Sequence, residues 1–162
     1  MQQLSESDDE TRFAREADGA LETATAEGRS QESEEARRRL LLVDDTPANL
    51  KILARLLEKC GYEVELAEDG LEAVERFRSR EYDLILMDLQ MPNLDGFGAT
   101  ESIRAMPDRR QIPIVALTAH VVDGTRERCF EVGMNGYLAK PIDFALLAAT
   151  VEEQLKSSDG SR

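Results

Sequence analysis

Residues 84–88 read Leu84-Ile85-Leu86-Met87-Asp88, four apolar side chains in succession and then an acid. A run without a polar break suits a strand covered on both faces, as in a parallel sheet flanked by helices, and not the alternation of a half-exposed strand. Working outward, the same pattern recurs at Leu40-Leu41-Leu42-Val43, followed by Asp44-Asp45, and at Ile114-Val115-Ala116-Leu117, followed by Thr118. Two weaker segments complete the set. Val64-Glu65-Leu66 alternates and Tyr137-Leu138-Ala139 is short, which predicts that the second and fifth strands are sheet edges. Edges two and five around a centre of one, three and four fit the order 2-1-3-4-5 in an α/β, doubly wound parallel sheet.

The segments between the strands carry helical punctuation. Thr46-Pro47 predicts an N-cap and a first-turn proline, with Leu50, Leu53, Ala54 and Leu57 at helical spacing before Gly61 stops the helix. Asp69, with Glu72 three residues on, predicts a capping box that turns Leu71, Val74 and Phe77 toward the sheet. Further helices are expected at about 96–106, 123–132 and 143–156. Residues 1–38 are rich in Glu, Asp, Ser, Ala and Thr, with a single Phe and no Val or Ile, a composition that builds no core. They are expected to be an acidic disordered or linker segment, residues 39–157 the folded domain, and 158–162 a tail.

Composition narrows the function. No apolar run among the 162 residues approaches the ~20 needed to cross a membrane. The opening MQQLSESDDE lacks the basic and apolar regions of a secretory signal, so a cytoplasmic setting is expected. Cys60 and Cys129 have no CxxC spacing and His120 is the only histidine, which leaves no zinc ligand set; both cysteines are expected to be small buried hydrophobes. A formal net charge of −13 opposes binding to a row of phosphates, which argues against direct nucleic-acid contact.

In an open parallel sheet the crevice lies at the carboxyl ends of the strands. Asp44, Asp45, Asp88, Thr118 and Lys140 all fall on that rim. Strand order brings three carboxylates together, and each like-charged pair at ~4 Å costs about 4 kcal/mol at a near-surface effective dielectric. A divalent cation removes the conflict, and an all-oxygen donor set points to Mg²⁺ or Mn²⁺. A carboxylate beside it can attack phosphorus while Lys140 neutralises charge and Thr118 donates its hydroxyl to a phosphoryl oxygen. No general base accompanies them, and His120 is expected to be a surface side chain.

LLVDDTPANL, LILMDLQMPNLDGF, IVALTAH and GYLAKPID together resemble the motif blocks of bacterial two-component receiver domains, over residues 39–156. Four separated blocks agree in type, order and strand position, and they look most like the receivers of hybrid histidine kinases. The resemblance implies the flavodoxin-like (βα)5 fold, with the strand order already inferred from burial. It implies that Asp88 takes the phosphoryl group, that Asp45 binds Mg²⁺ directly, that Asp44 acts partly through water, and that the backbone carbonyl of Gln90 completes the protein ligands. It further implies that Lys140 pairs with Asp88 at rest and that Lys140-Pro141 is cis. Thr118 and Tyr137 would form a switch pair acting on the surface of the fourth helix, fifth strand and fifth helix.

A histidine kinase or histidine phosphotransfer protein is the implied donor, docking near Asp88 and the first helix. Output is expected through protein–protein contact, onward phosphotransfer or a role within a larger kinase, since no effector domain follows the last helix. The chemistry is limited to self-phosphotransfer and autodephosphorylation, so the chain is not expected to be a conventional enzyme. Rival readings fit less well. A haloacid-dehalogenase-like phosphohydrolase needs a second acid where Asp88-Leu89-Gln90 has glutamine, and a nucleotide-binding protein of similar architecture needs a phosphate-cradling loop where Asp44-Asp45 stands. A receiver that works without phosphate would not need the complete acidic and basic set.

Overall fold

A computed structural model describes residues 37–160 apart from Arg110. The expectation of a linker over residues 1–38 therefore lies outside the described residues except at Arg37 and Arg38. Five strands, β1 (Arg39–Val43), β2 (Glu63–Ala67), β3 (Leu84–Asp88), β4 (Ile114–Thr118) and β5 (Gly136–Ala139), alternate with five helices. These are α1 (Pro47–Lys59), α2 (Gly70–Ser79), α3 (Gly96–Arg104), α4 (Thr125–Val132) and α5 (Phe144–Gly160). All neighbouring strands are parallel and their order is β2-β1-β3-β4-β5, the order that the burial pattern fits and the resemblance implies. β3 and β4 are buried along their whole length, whereas β2 and β5 are half-buried.

The unbroken apolar runs serve two cores at once. Leu41, Val43, Ile85, Met87, Ile114 and Ala116 point to the layer holding Phe77 of α2, Ile103 of α3 and Cys129 of α4. The alternate residues Leu40, Leu42, Leu84, Leu86, Val115 and Leu117 meet Leu50, Leu53 and Leu57 of α1 and Leu147, Val151 and Leu155 of α5. Each fully buried Leu or Ile contributes about 1.5–3 kcal/mol of apolar transfer, so the central strands anchor both layers. Among the described residues no helix is long and apolar enough to cross a membrane.

Several local expectations need correction. Thr46 occupies the N-cap of α1 but makes no side-chain capping bond; its backbone N–H donates to Asp44 Oδ1 instead, at 2.8 Å. Leu71 is exposed, because one residue past the buried Gly70 lies about 100° around the helix, and Ala73 takes the inward position beside Val74 and Phe77. Glu72 does not close a reciprocal capping box: its carboxylate accepts from Glu68 N–H at 3.0 Å, one residue before the cap. Cys60 is exposed at the C-cap of α1, past the last inward residue Leu57, while Cys129 is buried as expected.

Helix limits also shift. α3 ends at Arg104 because Ala105 is already the C-cap and Pro107 lies just beyond. α4 starts at Thr125, behind Gly124 in a left-handed conformation. α5 continues through residues 158–160, which the sequence pattern assigned to a tail. Asp159 in that last turn pairs with Arg38 at the entry to β1, and Lys156 pairs with Glu152 at 3.0 Å.

Candidate functional site

The carboxyl ends of β1, β3, β4 and β5 place Asp44, Asp88, Thr118 and Lys140 on one rim. Asp44 follows Val43 directly and is fully buried, its backbone N–H donating to Ala67 O at 3.1 Å, so β2 holds the turn after β1 in place. Asp45 is the next residue and faces solvent. Asp88 is the last residue of β3, buried at 5% exposure. One oxygen from each of the three carboxylates falls within 4.8 Å of the others, the convergence predicted from strand order.

Lys140 reaches across from the end of β5. Its Nζ donates to Asp44 Oδ2 at 2.9 Å and lies 3.3 Å from Asp88 Oδ2. The expected resting pair with Asp88 is therefore present but shared, and the shorter contact is to Asp44. The backbone sets this position: Lys140 N–H donates to Thr118 O at 2.7 Å, and the Lys140-Pro141 bond is cis as the resemblance implied.

Electrostatics follow from burial and from this single cation. Burial raises the Asp88 carboxyl above the ordinary carboxylate range; Lys140 pulls it back down, while Asp44 adds to the rise. Burial pulls the Lys140 ammonium down, but its hydrogen bond to Asp44 and the charge of Asp88 outweigh that and leave it raised. Three carboxylates against one ammonium leave the cluster two positive charges short. The donors are all hard oxygens, so residues and charge both fit a divalent cation of the Mg²⁺ or Mn²⁺ kind.

The loop after Asp88 returns tightly on the strand. Gln90 N–H points at Asp88 Oδ1 at a long 3.4 Å, and Gly96 N–H donates to Leu89 O at 3.0 Å. A Cβ on Gly96 would lie 2.3 Å from Asp88 O, so only glycine permits α3 to start this close to the acid. Asp95 caps α3 by accepting from Gly98 N–H at 2.8 Å. Together these fix the loop that carries the Gln90 carbonyl.

Thr118 ends β4 and is buried, but its hydroxyl does not face the acids as a free donor. It donates to His120 O at 3.0 Å and accepts from His120 N–H at 3.1 Å, closing a local turn. His120 is exposed, as expected. In the β4–β5 register Thr118 pairs with Ala139 and Ala116 with Tyr137, so Thr118 and Tyr137 project to the same face of the sheet. Tyr137 is half-buried and packs on the core layer beneath α2, α3 and α4. A hollow at Thr118 is lined also by Gln90, Phe97, His120 and Arg128. The bond between Lys140 and Asp44, which joins residues far apart in sequence, had no sequence signal beyond opposite charge on a shared rim.

Comparison with known proteins agrees with this geometry. A family model for the response regulator receiver domain matches residues 40–152. The chain is 49% identical over 104 residues to the signal transduction histidine-protein kinase BarA of Shigella flexneri, covering 64% of this chain and 11% of that protein. It is 47% identical over 116 residues to the sensor protein GacS of Pseudomonas syringae pv. syringae, covering 70% of this chain and 13% of that protein. The chain thus spans only about an eighth of these relatives or less. Among solved structures it is similar to the receiver domain of sensor histidine kinase PA1611 from Pseudomonas aeruginosa, which holds a magnesium ion in its active site cleft. That match has a TM-score of 0.69 and 42% identity, covering 74% of this chain and 98% of the other. A CheY-like receiver from Methanospirillum hungatei gives a TM-score of 0.74 at 25% identity, covering 78% of this chain and 99% of the other. With a (βα)5 sheet in the order 2-1-3-4-5 and a family match that runs from β1 into α5, the chain belongs to the response regulator receiver domains of two-component systems.

Proposed function

We propose that this receiver accepts a phosphoryl group on Asp88 from a phosphohistidine and returns to rest by hydrolysis of the acyl phosphate. The observation that carries the reading is the gathering of Asp44, Asp45 and Asp88 oxygens within 4.8 Å, with Lys140 against two of the three carboxylates. An Asp88 oxygen attacks phosphorus in line with the P–N bond, whose electron pair leaves with the imidazole nitrogen as that ring takes up a proton. Held by Asp44, Asp45, Asp88 and the Gln90 backbone carbonyl, Mg²⁺ or Mn²⁺ would neutralise charge on the transferring oxygens. Lys140 contributes a second, fixed positive charge at the same place. An acid nucleophile, a hydroxyl and fixed positive charge are the parts that a signalling domain limited to self-phosphotransfer and autodephosphorylation requires.

The readout follows from Thr118. Its hydroxyl leaves the His120 turn for a phosphoryl oxygen, and the ring of Tyr137, on the same sheet face, moves into the space released. The new charge of about −2 biases the packing of α4, β5 and α5, the surface offered to a downstream protein. The relatives are named as histidine kinases, which supports a histidine kinase or histidine phosphotransfer protein as donor, acting in the cytoplasm. Catalytic roles thus fall to Asp88, Lys140 and Thr118, and the switch to Thr118 and Tyr137.

Incubation with acetyl phosphate and Mg²⁺ followed by intact mass measurement tests this. One added phosphoryl group of about 80 Da, absent in Asp88→Asn and without metal, is the expected result. Absence of the adduct together with failure of beryllofluoride to bind would overturn it.

A further inference from the structure

The loop after Asp88 is closed at its neck and pinned at its far end by a residue outside the acidic cluster. Asp69, the N-cap of α2, divides its carboxylate. Oδ1 accepts from Glu72 N–H at 2.8 Å, and Oδ2 accepts from the side-chain amide of Asn93 at 2.8 Å. The next residue adds a backbone tie, Gly70 N–H donating to Leu94 O at 3.1 Å. A Cβ on Gly70 would stand 2.2 Å from that same oxygen, so the approach is closer than any other residue allows. Asn93 has φ 68, a left-handed conformation that Asn tolerates better than most residues and that turns the loop toward α2. Gln90 thus hangs between two fixed points, the Leu89–Gly96 closure and the Asn93–Asp69 brace.

We infer that Asp69 and Asn93 are positioning residues for the phosphoacceptor site: by bracing the loop against α2 they set where the Gln90 carbonyl stands relative to Asp88. This rests on the phosphoacceptor reading above. Neither residue touches the reacting atoms. Helix capping alone needs only Oδ1, so the Oδ2–Asn93 bond is the part of Asp69 that capping does not explain. Supporting groups of this kind tune metal sites by holding ligands still, and here the ligand they hold is a backbone carbonyl on the loop 89–95.

The test uses the full chain and Mn²⁺ alone, with bound ion read from loss of the free-ion electron paramagnetic resonance signal. Exchange of the Gly70 amide reports the brace itself. Asn93→Asp sets two carboxylates face to face, and is expected to weaken Mn²⁺ binding roughly three- to tenfold and to speed Gly70 exchange. Asn93→Gly, which keeps the left-handed backbone and removes the amide, should shift both in the same direction. The double swap, Asp69→Asn with Asn93→Asp, restores a donor–acceptor pair. The amide oxygen then at position 69 still caps α2, and both readouts should return toward the parent. Unchanged Mn²⁺ affinity in Asn93→Asp, or failure of the swap to restore it, would overturn the inference. If the parent itself binds no Mn²⁺ while Gly70 remains protected, the phosphoacceptor reading falls and the brace is structural only.

Discussion

Lys140 Nζ lies 2.9 Å from Asp44 Oδ2, closer than the 3.3 Å that separates it from Asp88 Oδ2. Asp44 is fully buried and its other oxygen is occupied by Thr46 N–H. The lysine therefore does two jobs: it satisfies a carboxylate that cannot reach water, and it stands beside Asp88, the proposed acceptor. The bond to Asp44 holds the ammonium beside Asp88.

Lys140→Ala leaves Asp44 and Asp88 buried with no cation between them. Breaking a buried pair by removing one partner costs about 3–5 kcal/mol, less here because the lysine is 20% exposed and water can enter the vacated space, so a loss of about 2 kcal/mol is expected. Urea unfolding in EDTA should show it in full. Millimolar Mg²⁺ should recover part of it, since the ion supplies the missing charge. The phosphoryl adduct should still form, because charge neutralisation is shared, while the response of the α4–β5–α5 surface weakens. An equal loss with and without Mg²⁺ would show that the metal does not sit against these carboxylates.

Asp88→Asn should stabilise the metal-free protein. The carboxyl is buried, and both burial and the neighbouring Asp44 penalise its charged form. An amide of the same shape removes one like charge while Asp44 keeps Lys140, for a gain of about 1 kcal/mol at pH 7. Thermal unfolding in EDTA reads it directly. A lower melting temperature in the variant would mean that the ion pair with Lys140 outweighs the repulsion.

Much of this was legible in advance because the central strands carry four apolar residues in a row, a pattern that suits strands covered on both faces. The rim residues follow from where those runs stop, at Asp44, Asp88 and Thr118. What escaped was rotation and partner choice. Leu71 differs from Ala73 in helical phase by two residues, and a single-residue change of phase moves a side chain from core to solvent. Glu72 takes Glu68 N–H and not that of Asp69, and Lys140 is shared between Asp44 and Asp88, details that residue type does not encode. The Asn93–Asp69 bond escaped for the same reason, although Asp69 itself was legible as a cap.

The Asp69 carboxyl gives a pH signature. Its hydrogen bonds to Glu72 N–H and Asn93, partly offset by burial, hold it below the ordinary carboxylate value. A group whose folded pKa is depressed contributes stability above its unfolded pKa of ~3.9 and loses it as pH falls through the folded value. The stability gap between the parent and Asp69→Ala, about 1 kcal/mol for a lost cap, should therefore be constant from pH 7 to about 5 and narrow below about pH 4. Asp69→Asn caps without a charge, so its own contribution should not vary with pH. A parent–Ala gap of unchanged size down to pH 2 would show that the carboxylate's charge adds nothing to the cap.

Thr118→Val separates structure from switching. The substitution keeps the branched shape and removes the hydroxyl that donates to His120 O at 3.0 Å and accepts from His120 N–H at 3.1 Å. His120 is exposed, so water replaces the lost partners and the destabilisation should stay near 0.5–1 kcal/mol. Phosphorylation of Asp88 should persist at a reduced rate, because the carboxylate and the neighbouring positive charge remain when this hydroxyl is lost. What should vanish is the displacement of Tyr137. In the parent, beryllofluoride should shift the ring resonances of Tyr137 and the amides of α4 and β5. In Thr118→Val it should bind and shift only residues around Asp88, because nothing then draws the β4 end toward the phosphoryl position. Tyr137 shifts of parental size in the variant would mean that the ring responds to the new charge directly, and that Thr118 is a structural turn residue instead of the link between the site and the α4–β5–α5 surface.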